Sequence, residues 1–180
     1  FIAGIVLFRL YTTLGKRTGA EAQEPAPAQG ELPRGPIQTP VSSPATIGSA
    51  GEGVAAIERA DPNFEAGYFL QGARAAYELI VGAFAKGDRE ALHGLLTPRV
   101  YDSYVAAIEA REAQNGVGPE IVRLRTAEIA EAGLVGDTAH VVVKFEAELA
   151  EGATGVREAR ERWTFERNVR SSDPNWLLSR

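Results

Sequence analysis

The residues of this sequence best suited to acid–base chemistry near neutral pH are its two histidines, His93 and His140. His140 falls on the polar side of an alternating segment, and His93 lies between leucines in a short helical segment. A solvent-facing histidine and a half-buried packing residue explain both. Two histidines cannot form a multi-histidine metal site, and the lack of cysteine excludes thiolate zinc sites, thiol nucleophiles and disulfides. The sequence therefore predicts no metal centre.

The neighbouring pair Tyr101 and Asp102 is a second candidate, because a hydroxyl beside a carboxylate can act as a catalytic dyad. The pair follows Thr97 and Pro98, which are typical of an N-cap and a first helical position. An acid in the first turn of a helix favours the helix dipole, which explains Asp102 without catalysis. The glycine-rich loops that bind nucleotide phosphates are not in the sequence. We therefore predict that the chain is not an enzyme and has neither catalytic residues nor a cofactor.

Aromatic and apolar side chains of the predicted helices and strands form a third candidate site. A small sheet with this many rings either fills the space beneath the helices or leaves a ligand pocket there. The sequence does not separate a filled core from a pocket, so both interpretations stay open. The candidate residues are Tyr77, Tyr101, Tyr104, Val143, Phe145, Trp163, Phe165 and Trp176.

Arginines and glutamates alternate towards the C-terminal end of the chain. This pattern is more typical of ion pairs between strands than of a phosphate-binding patch. Residues 54–180 carry 15 Lys and Arg against 20 Asp and Glu, so we expect no nucleic-acid partner. The residues concerned are Arg157, Arg160, Arg162, Arg167 and Arg170 with Glu158, Glu161 and Glu166.

Helical periodicity dominates the first half of the predicted domain. A short helix over residues 54–60 is followed by a long helix from Asn63 to about residue 86. Three glycines interrupt the long helix, and each costs about 1 kcal/mol relative to alanine. We expect Gly67, Gly72 and Gly82 to compensate by letting another backbone approach closely.

Two further helices follow, and then the hydrophobic period changes from 3.6 to 2. Asp88 is expected to cap the third helix and Thr97 the fourth. The clearest strand runs from Ala139 to Leu149, with others over residues 121–134, 156–167 and 175–179. This order predicts an α+β fold, with N-terminal helices packed on a curved antiparallel sheet of about four strands.

The chain opens on eight uninterrupted apolar residues, which are too few to span a bilayer. Because the sequence starts with phenylalanine rather than methionine, we expect residues 1–19 to be the C-terminal part of a transmembrane helix. Basic residues follow the apolar run, as on the cytoplasmic flank of a membrane helix, and this orients the domain towards the cytoplasm. A short helix buried in a partner or in the domain is the alternative. The predicted anchor residues are Phe1, Ile2, Ile5, Val6, Leu7, Phe8, Arg9, Lys16 and Arg17.

Residues 20–53 are rich in Pro, Gly and Ala and have no aromatic side chain, which predicts a disordered linker. A semi-extended stretch of this length has a reach of roughly 100 Å. Residues 54–180 then form a single folded domain. The sequence thus divides into anchor, linker and domain.

Four segments of the domain resemble the Tim-forty-four-like domain family, in its bacterial, alphaproteobacterial branch. They read FLQGARAAYELI from Phe69, AFAKGDR from Ala83, LLTPRVY from Leu95, and WTFER with DPNW from Trp163. The resemblance implies a cone-shaped fold akin to nuclear transport factor two-like domains. It also implies a membrane-associated adaptor rather than an enzyme.

The leading functional hypothesis is an adaptor or scaffold in the bacterial inner membrane, single-pass, whose cytoplasmic domain tethers a partner protein in protein transport. Its expected partners are the lipid bilayer and membrane or cytoplasmic proteins. The sequence does not decide whether the chain forms an oligomer. One rival is a ligand-binding or enzymatic pocket that uses Tyr101, Asp102 or His140. Such a pocket would show a polar group converging among the aromatic side chains. Another rival is a subunit of a larger membrane complex.

Overall fold

The computed structural model describes residues 48–180 of the chain. The predicted anchor and most of the predicted linker lie outside the described residues. Within residues 48–180, no helix combines the length and the apolar character needed to cross a membrane.

Along the described chain, a two-residue strand comes first, the helices follow it, and the rest of the sheet comes last. The helices are α1 (Ala50–Ala60), α2 (Ala66–Lys86), α3 (Arg89–His93) and α4 (Pro98–Ala113). The strands are β1 (Gly48–Ser49), β2 (Glu120–Val135), β3 (Thr138–Ala150), β4 (Val156–Asn168) and β5 (Leu177–Leu178). The predicted α+β architecture, with helices packed on an antiparallel sheet, is confirmed.

The sheet has five strands in the order β1-β2-β3-β4-β5, and each neighbouring pair is antiparallel. The long strands β2 and β3 meet at a tight turn, where Gly136 adopts a positive φ of 59° that favours glycine. Strands β1 and β5 have two residues each and border the sheet. The sequence predicted about four strands, because β1 falls within the proline-rich stretch assigned to the linker.

Side-chain and glycine signals place the ends of α2 and α3. Glu65 accepts hydrogen bonds from the backbone N–H groups of Gly67 and Tyr68, which caps α2. Gly87, at φ 70°, ends the helix in the left-handed conformation. Asp88 then accepts a hydrogen bond from the N–H of Ala91 at 3.0 Å, so its predicted capping of α3 is confirmed.

The start of α4 differs from its prediction in one detail. Pro98 does occupy the first turn, but the Thr97 side chain makes no capping hydrogen bond. Its hydroxyl instead donates to the backbone oxygen of Leu178 in β5 at 3.2 Å. Thr97 therefore ties the start of α4 to the edge of the sheet.

The core lies between the helices and the inner face of the sheet. Alternate residues of β3 are at most 3% exposed, as the predicted period of two requires: Ala139, Val141, Val143, Phe145, Ala147 and Leu149. From the helices, Ile57, Tyr77, Ile80 and Ile108 are no more than 1% exposed. The strand with the clearest pattern is therefore the centre of the sheet.

Helix α1 begins at Ala50, so residues 50–53 belong to it and not to the predicted linker. The reason is a close approach at Gly53. A Cβ atom there would lie 1.9 Å from the backbone oxygen of Ala132 in β2. The glycines at positions 51 and 53 disfavour a helix by their low helical propensity, but the contact with β2 outweighs this cost.

We expect Gly53→Ala to destabilise the domain by about 1–3 kcal/mol, because the backbones of α1 and β2 must separate. Gly51→Ala is the matched control, since nothing lies within 4 Å of a Cβ at that position in the same helix. The control should gain up to about 1 kcal/mol from helix propensity. Urea unfolding of both variants measures the difference, and equal effects would contradict the proposed close contact.

Within the described domain, the prediction for the α2 glycines is wrong at all three positions. Among the described residues, nothing lies within 4 Å of a Cβ placed at Gly72 or Gly82. At Gly67 the nearest atom belongs to the flexible Glu65 side chain, at 2.8 Å. No backbone of the described domain approaches these glycines.

Candidate functional site

Three buried rings from α2, β3 and β4 meet at the centre of the inner face. The Tyr77 ring lies 4.6 Å from Phe145 and 4.7 Å from Trp163, centroid to centroid. Phe145 and Trp163 are 5.6 Å apart in an edge-to-face arrangement. Because none of the three is more than 5% exposed, they pack as core residues.

A second group of rings continues this cluster towards the ends of α2 and β4. Phe165 contacts Trp163 and Phe69, at 6.3 and 6.1 Å. The half-buried Trp176 lies 4.8 Å from Phe69 and 5.7 Å from Phe64. Trp176 thus covers one end of the core just before β5.

The two tyrosines of α4 stand apart from this cluster. Tyr101 is half-buried and contacts the His93 ring edge-to-face at 5.3 Å. Tyr104 is half-buried and contacts Phe84 at 5.5 Å. The predicted aromatic set therefore divides between the sheet, the α3–α4 contact at Tyr101 and the α2–α4 contact at Tyr104.

A polar group does converge on the inner aromatic face, and it comes from Glu161 of β4. Glu161 shares this face with Trp163, two residues along the strand, and its carboxylate lies beside the Tyr77 hydroxyl. The Tyr77 hydroxyl is buried and has no well-formed hydrogen bond within the described domain. Arg157 lies on the same face but binds Glu151, at 2.6 Å. Glu161 thus lies at the boundary between the core and the charged end of the sheet.

The environment of this pair shifts both groups towards their neutral forms. Burial raises the pKa of Glu161 above 4.5, against the opposing effects of the Tyr77 hydroxyl and Arg157. Burial, together with the neighbouring Glu161 charge, also raises the pKa of the Tyr77 phenol. An acid with a raised pKa inside an aromatic cluster is a feature that functional sites share.

We expect Glu161→Gln to stabilise the domain at pH 7 and to have no effect below pH 4.5. The raised pKa means that the folded protein binds more protons than the unfolded chain above pH 4.5. The stability due to Glu161 is therefore complete below pH 4.5 and is lost as the pH rises through the folded pKa. Thermal unfolding from pH 4 to 8 measures this.

Glu158→Gln is the control for this experiment, because Glu158 lies on the outer face of the same strand and binds Arg125 at 3.1 Å. It should lack the gain at neutral pH. A melting temperature of Glu161→Gln below that of the unchanged protein at pH 7 would contradict the inward position of this carboxylate.

The residues first considered for catalysis are not brought together, apart from the ring contact between His93 and Tyr101. His140 lies on the outer face of β3, with its Nδ1 atom 3.8 Å from a carboxylate oxygen of Glu166. Asp102 is exposed on α4. In the part of the chain that the structure describes, no three His, Asp or Glu side chains are grouped as a metal site requires.

The predicted pairing of arginines and glutamates across strands is confirmed on the outer face of the sheet. Arg125 of β2 binds Glu148 of β3 and Glu158 of β4. Arg162 of β4 binds Glu131 of β2. Exposed pairs of this kind contribute about 0–1 kcal/mol each, so they define the charge pattern of the surface more than its stability.

Arg111 of α4 is a buried charge that the sequence analysis did not indicate. The side chain is 8% exposed, donates to the backbone oxygen of Ala85 at 3.0 Å and lies over the Phe84 ring at 4.9 Å. Burial lowers its pKa. Arg111 therefore joins the C-terminal ends of α2 and α4.

Large apolar side chains are also exposed in two places that the sequence analysis did not single out. Val117, Val122 and Val156 are 53–71% exposed near the start of β2 and of β4. Tyr68 and Leu79 of α2 are 76% and 59% exposed. A signal for α2 was present, because its apolar residues exceed what one buried face needs.

One of the comparisons with known proteins identifies a family. The model described as Tim44-like domain, the Tim-forty-four-like family that the sequence resembles, matches residues 50–180. A search of curated proteins gives no match. A conserved protein from Planctomyces limnophilus with a known crystal structure is 21% identical, with a TM-score of 0.40, over 60% of this chain and 91% of that chain. Since the family model spans most of the sequence, the chain belongs to the Tim44-like domain family.

Proposed function

We propose that this chain is an inner-membrane-anchored adaptor, whose cytoplasmic domain holds a partner protein near the bilayer during protein transport. The observation that carries the proposal is the order of its parts. The sequence begins with an apolar run flanked by basic residues and continues with a proline-rich stretch. A Tim44-like domain follows, and this family consists of protein-interaction and membrane-associated domains. The proposal includes the bacterial, alphaproteobacterial origin that the sequence resembles.

The described residues support binding over catalysis as the role of this domain. His140 lies beside the Glu166 carboxylate on the outer face of the sheet, His93 packs on Tyr101, and Asp102 is exposed on a helix. These contacts explain the residues without a reaction. Exposed apolar side chains near the starts of β2 and β4 provide a surface that a partner protein can cover.

Protease accessibility tests the proposed topology. Arg9, Lys16 and Arg17 follow the apolar run, so the positive-inside rule places the domain in the cytoplasm. Protease added to intact spheroplasts should leave the domain whole, and lysis should expose it to digestion. Digestion in intact spheroplasts would exclude the proposed orientation.

A ligand-binding domain is the second candidate function, and Glu161 is the observation in its favour. A carboxylate among the rings of Tyr77 and Trp163 is the kind of polar group that orients a bound ligand in an apolar site. If the domain acts by binding a ligand, Glu161→Gln should abolish the function of the protein in cells while the domain stays folded. An adaptor that acts through its surface tolerates the same change.

A further inference from the structure

The outward face of α2 carries a row of residues at alternating steps of four and three. The row, which we call the α2 seam, consists of Tyr68, Gly72, Ala75, Leu79 and Gly82. These steps repeat every seven residues, which is the spacing by which one helix packs along another. Tyr68 and Leu79 are 76% and 59% exposed, and Gly72 and Ala75 are also exposed.

No described part of the domain explains the glycines of this row. Nothing within residues 48–180 lies within 4 Å of a Cβ at Gly72 or Gly82. Glycine inside a helix is unfavourable unless a neighbouring backbone uses the space. Small residues at such positions let two helix backbones approach closely. The seam is therefore suited to a helix from outside the described domain.

The order of large and small residues matches a second copy of the same helix in the opposite direction. When two α2 helices cross antiparallel with Ala75 facing Ala75, Tyr68 of each lies opposite Gly82 of the other. Leu79 lies opposite Gln71, so it packs beside Gly72, the next residue. Each large apolar side chain thus lies opposite or next to a glycine, and the row complements itself around a two-fold axis.

The charges at the two ends of α2 agree with the same arrangement. Glu65 lies just before the helix, and Lys86 is its last residue. The two-fold axis at Ala75 places Glu65 of one copy opposite Ala85 of the other, next to Lys86. Antiparallel helices also bring opposite ends of the helix dipoles together. Charge and size therefore favour the same partner in the same direction.

We propose that the α2 seam is a dimer interface, in which two copies of this chain pack their α2 helices antiparallel around a two-fold axis at Ala75. The interface buries Tyr68 and Leu79 of both copies and gives Gly72 and Gly82 their packing partners. The dimer does not depend on the adaptor function. If the chain is an adaptor, the dimer presents two Tim44-like domains in each assembly.

Disulfide cross-linking of the full chain in native membranes tests the dimer, because the sequence has no cysteine of its own. Under mild oxidation, Ala75→Cys should form covalent dimers much faster than Val156→Cys. Val156 is 61% exposed on β4 and controls for random collisions. Adding Leu79→Glu to Ala75→Cys should reduce the cross-linking to the level of the Val156→Cys control.

Direction is tested by mixing two further variants with different tags. Antiparallel packing predicts disulfides between Tyr68→Cys in one copy and Gly82→Cys in the other, and few between two Tyr68→Cys copies. Cross-linking of Ala75→Cys no faster than of Val156→Cys would overturn the proposal, including the case where another protein or residues 1–47 cover the seam. Preferred Tyr68→Cys self-pairing would overturn the antiparallel arrangement.

Discussion

Replacing Trp163 by alanine is expected to destabilise the domain by about 3–5 kcal/mol, the usual cost of removing a buried tryptophan. Its ring contacts Tyr77 and Phe145 at 4.7 and 5.6 Å and is 5% exposed. The variant loses these contacts and leaves a cavity between α2 and the centre of the sheet. Since small domains have a total stability of about 5–15 kcal/mol, this loss is a large share of the free energy of unfolding.

Urea unfolding of residues 48–180 measures this loss, and Trp176→Ala is the matched control. Trp176 also contacts two aromatic rings, but it is only half-buried, so its removal should cost clearly less. Equal losses for the two tryptophans would show that the central cluster does not hold the core together. The same holds if Trp163→Ala changes the stability by less than about 1 kcal/mol.

Replacing Asp61 by alanine should cost about 3–5 kcal/mol, because it leaves a partly buried arginine without its counter-charge. The Asp61 carboxylate lies 2.8 Å from the Arg167 guanidinium and also accepts a hydrogen bond from the N–H of Asn63. Arg167 in turn donates to the backbone oxygen of Asp173. The pair therefore joins the end of α1 to β4 and to the segment before β5.

A comparison with Arg170→Ala separates this buried pair from ordinary surface pairs. Arg170 binds Asp137 at 2.7 Å, but both side chains are more than half exposed, so we expect a loss of at most about 1 kcal/mol. Adding Arg167→Met to Asp61→Ala should recover part of the stability, since the uncompensated charge is removed. A double variant less stable than Asp61→Ala alone would contradict this explanation.

Local patterns predicted the parts of the fold that depend on neighbours along the chain. The alternation in β3 indicated its buried face, because successive side chains of a strand point to opposite sides. The cap at Asp88 was likewise predicted, since it depends on an N–H group three residues away. These signals need no knowledge of distant contacts.

Contacts between distant segments explain what the sequence did not predict. Strand β1 and the first turn of α1 form because Gly53 fits against Ala132, about eighty residues later. Arg111 is buried because its partner oxygen belongs to α2. Nothing in the local sequence indicates either contact.

Glu161 is a different case, because the necessary signal was in the sequence. It is two residues before Trp163 and four before Phe165, so the period of two places all three on one face. Grouping Glu161 with the neighbouring arginines concealed this pattern. Within β4, the arginines at 160 and 162 face outward, whereas Glu161 faces the core.

The adaptor proposal is tested most directly by variants of the linker in native membranes. The measured quantity is the amount of partner protein that each variant captures by cross-linking. The structure limits the deletion to residues 23–46, because β1 begins at Gly48 and pairs with β2. A tether requires only reach, so a Gly/Ser stretch of equal length should restore capture that the deletion alone impairs.

In the same assay, His140→Ala and Asp102→Asn should capture as much protein as the unchanged chain. The adaptor predicts loss of capture on deletion, full recovery with the Gly/Ser replacement, and full capture by both substitutions. Full capture by the unreplaced deletion, together with complete loss in a folded Glu161→Gln variant, would contradict it and favour the ligand-binding domain.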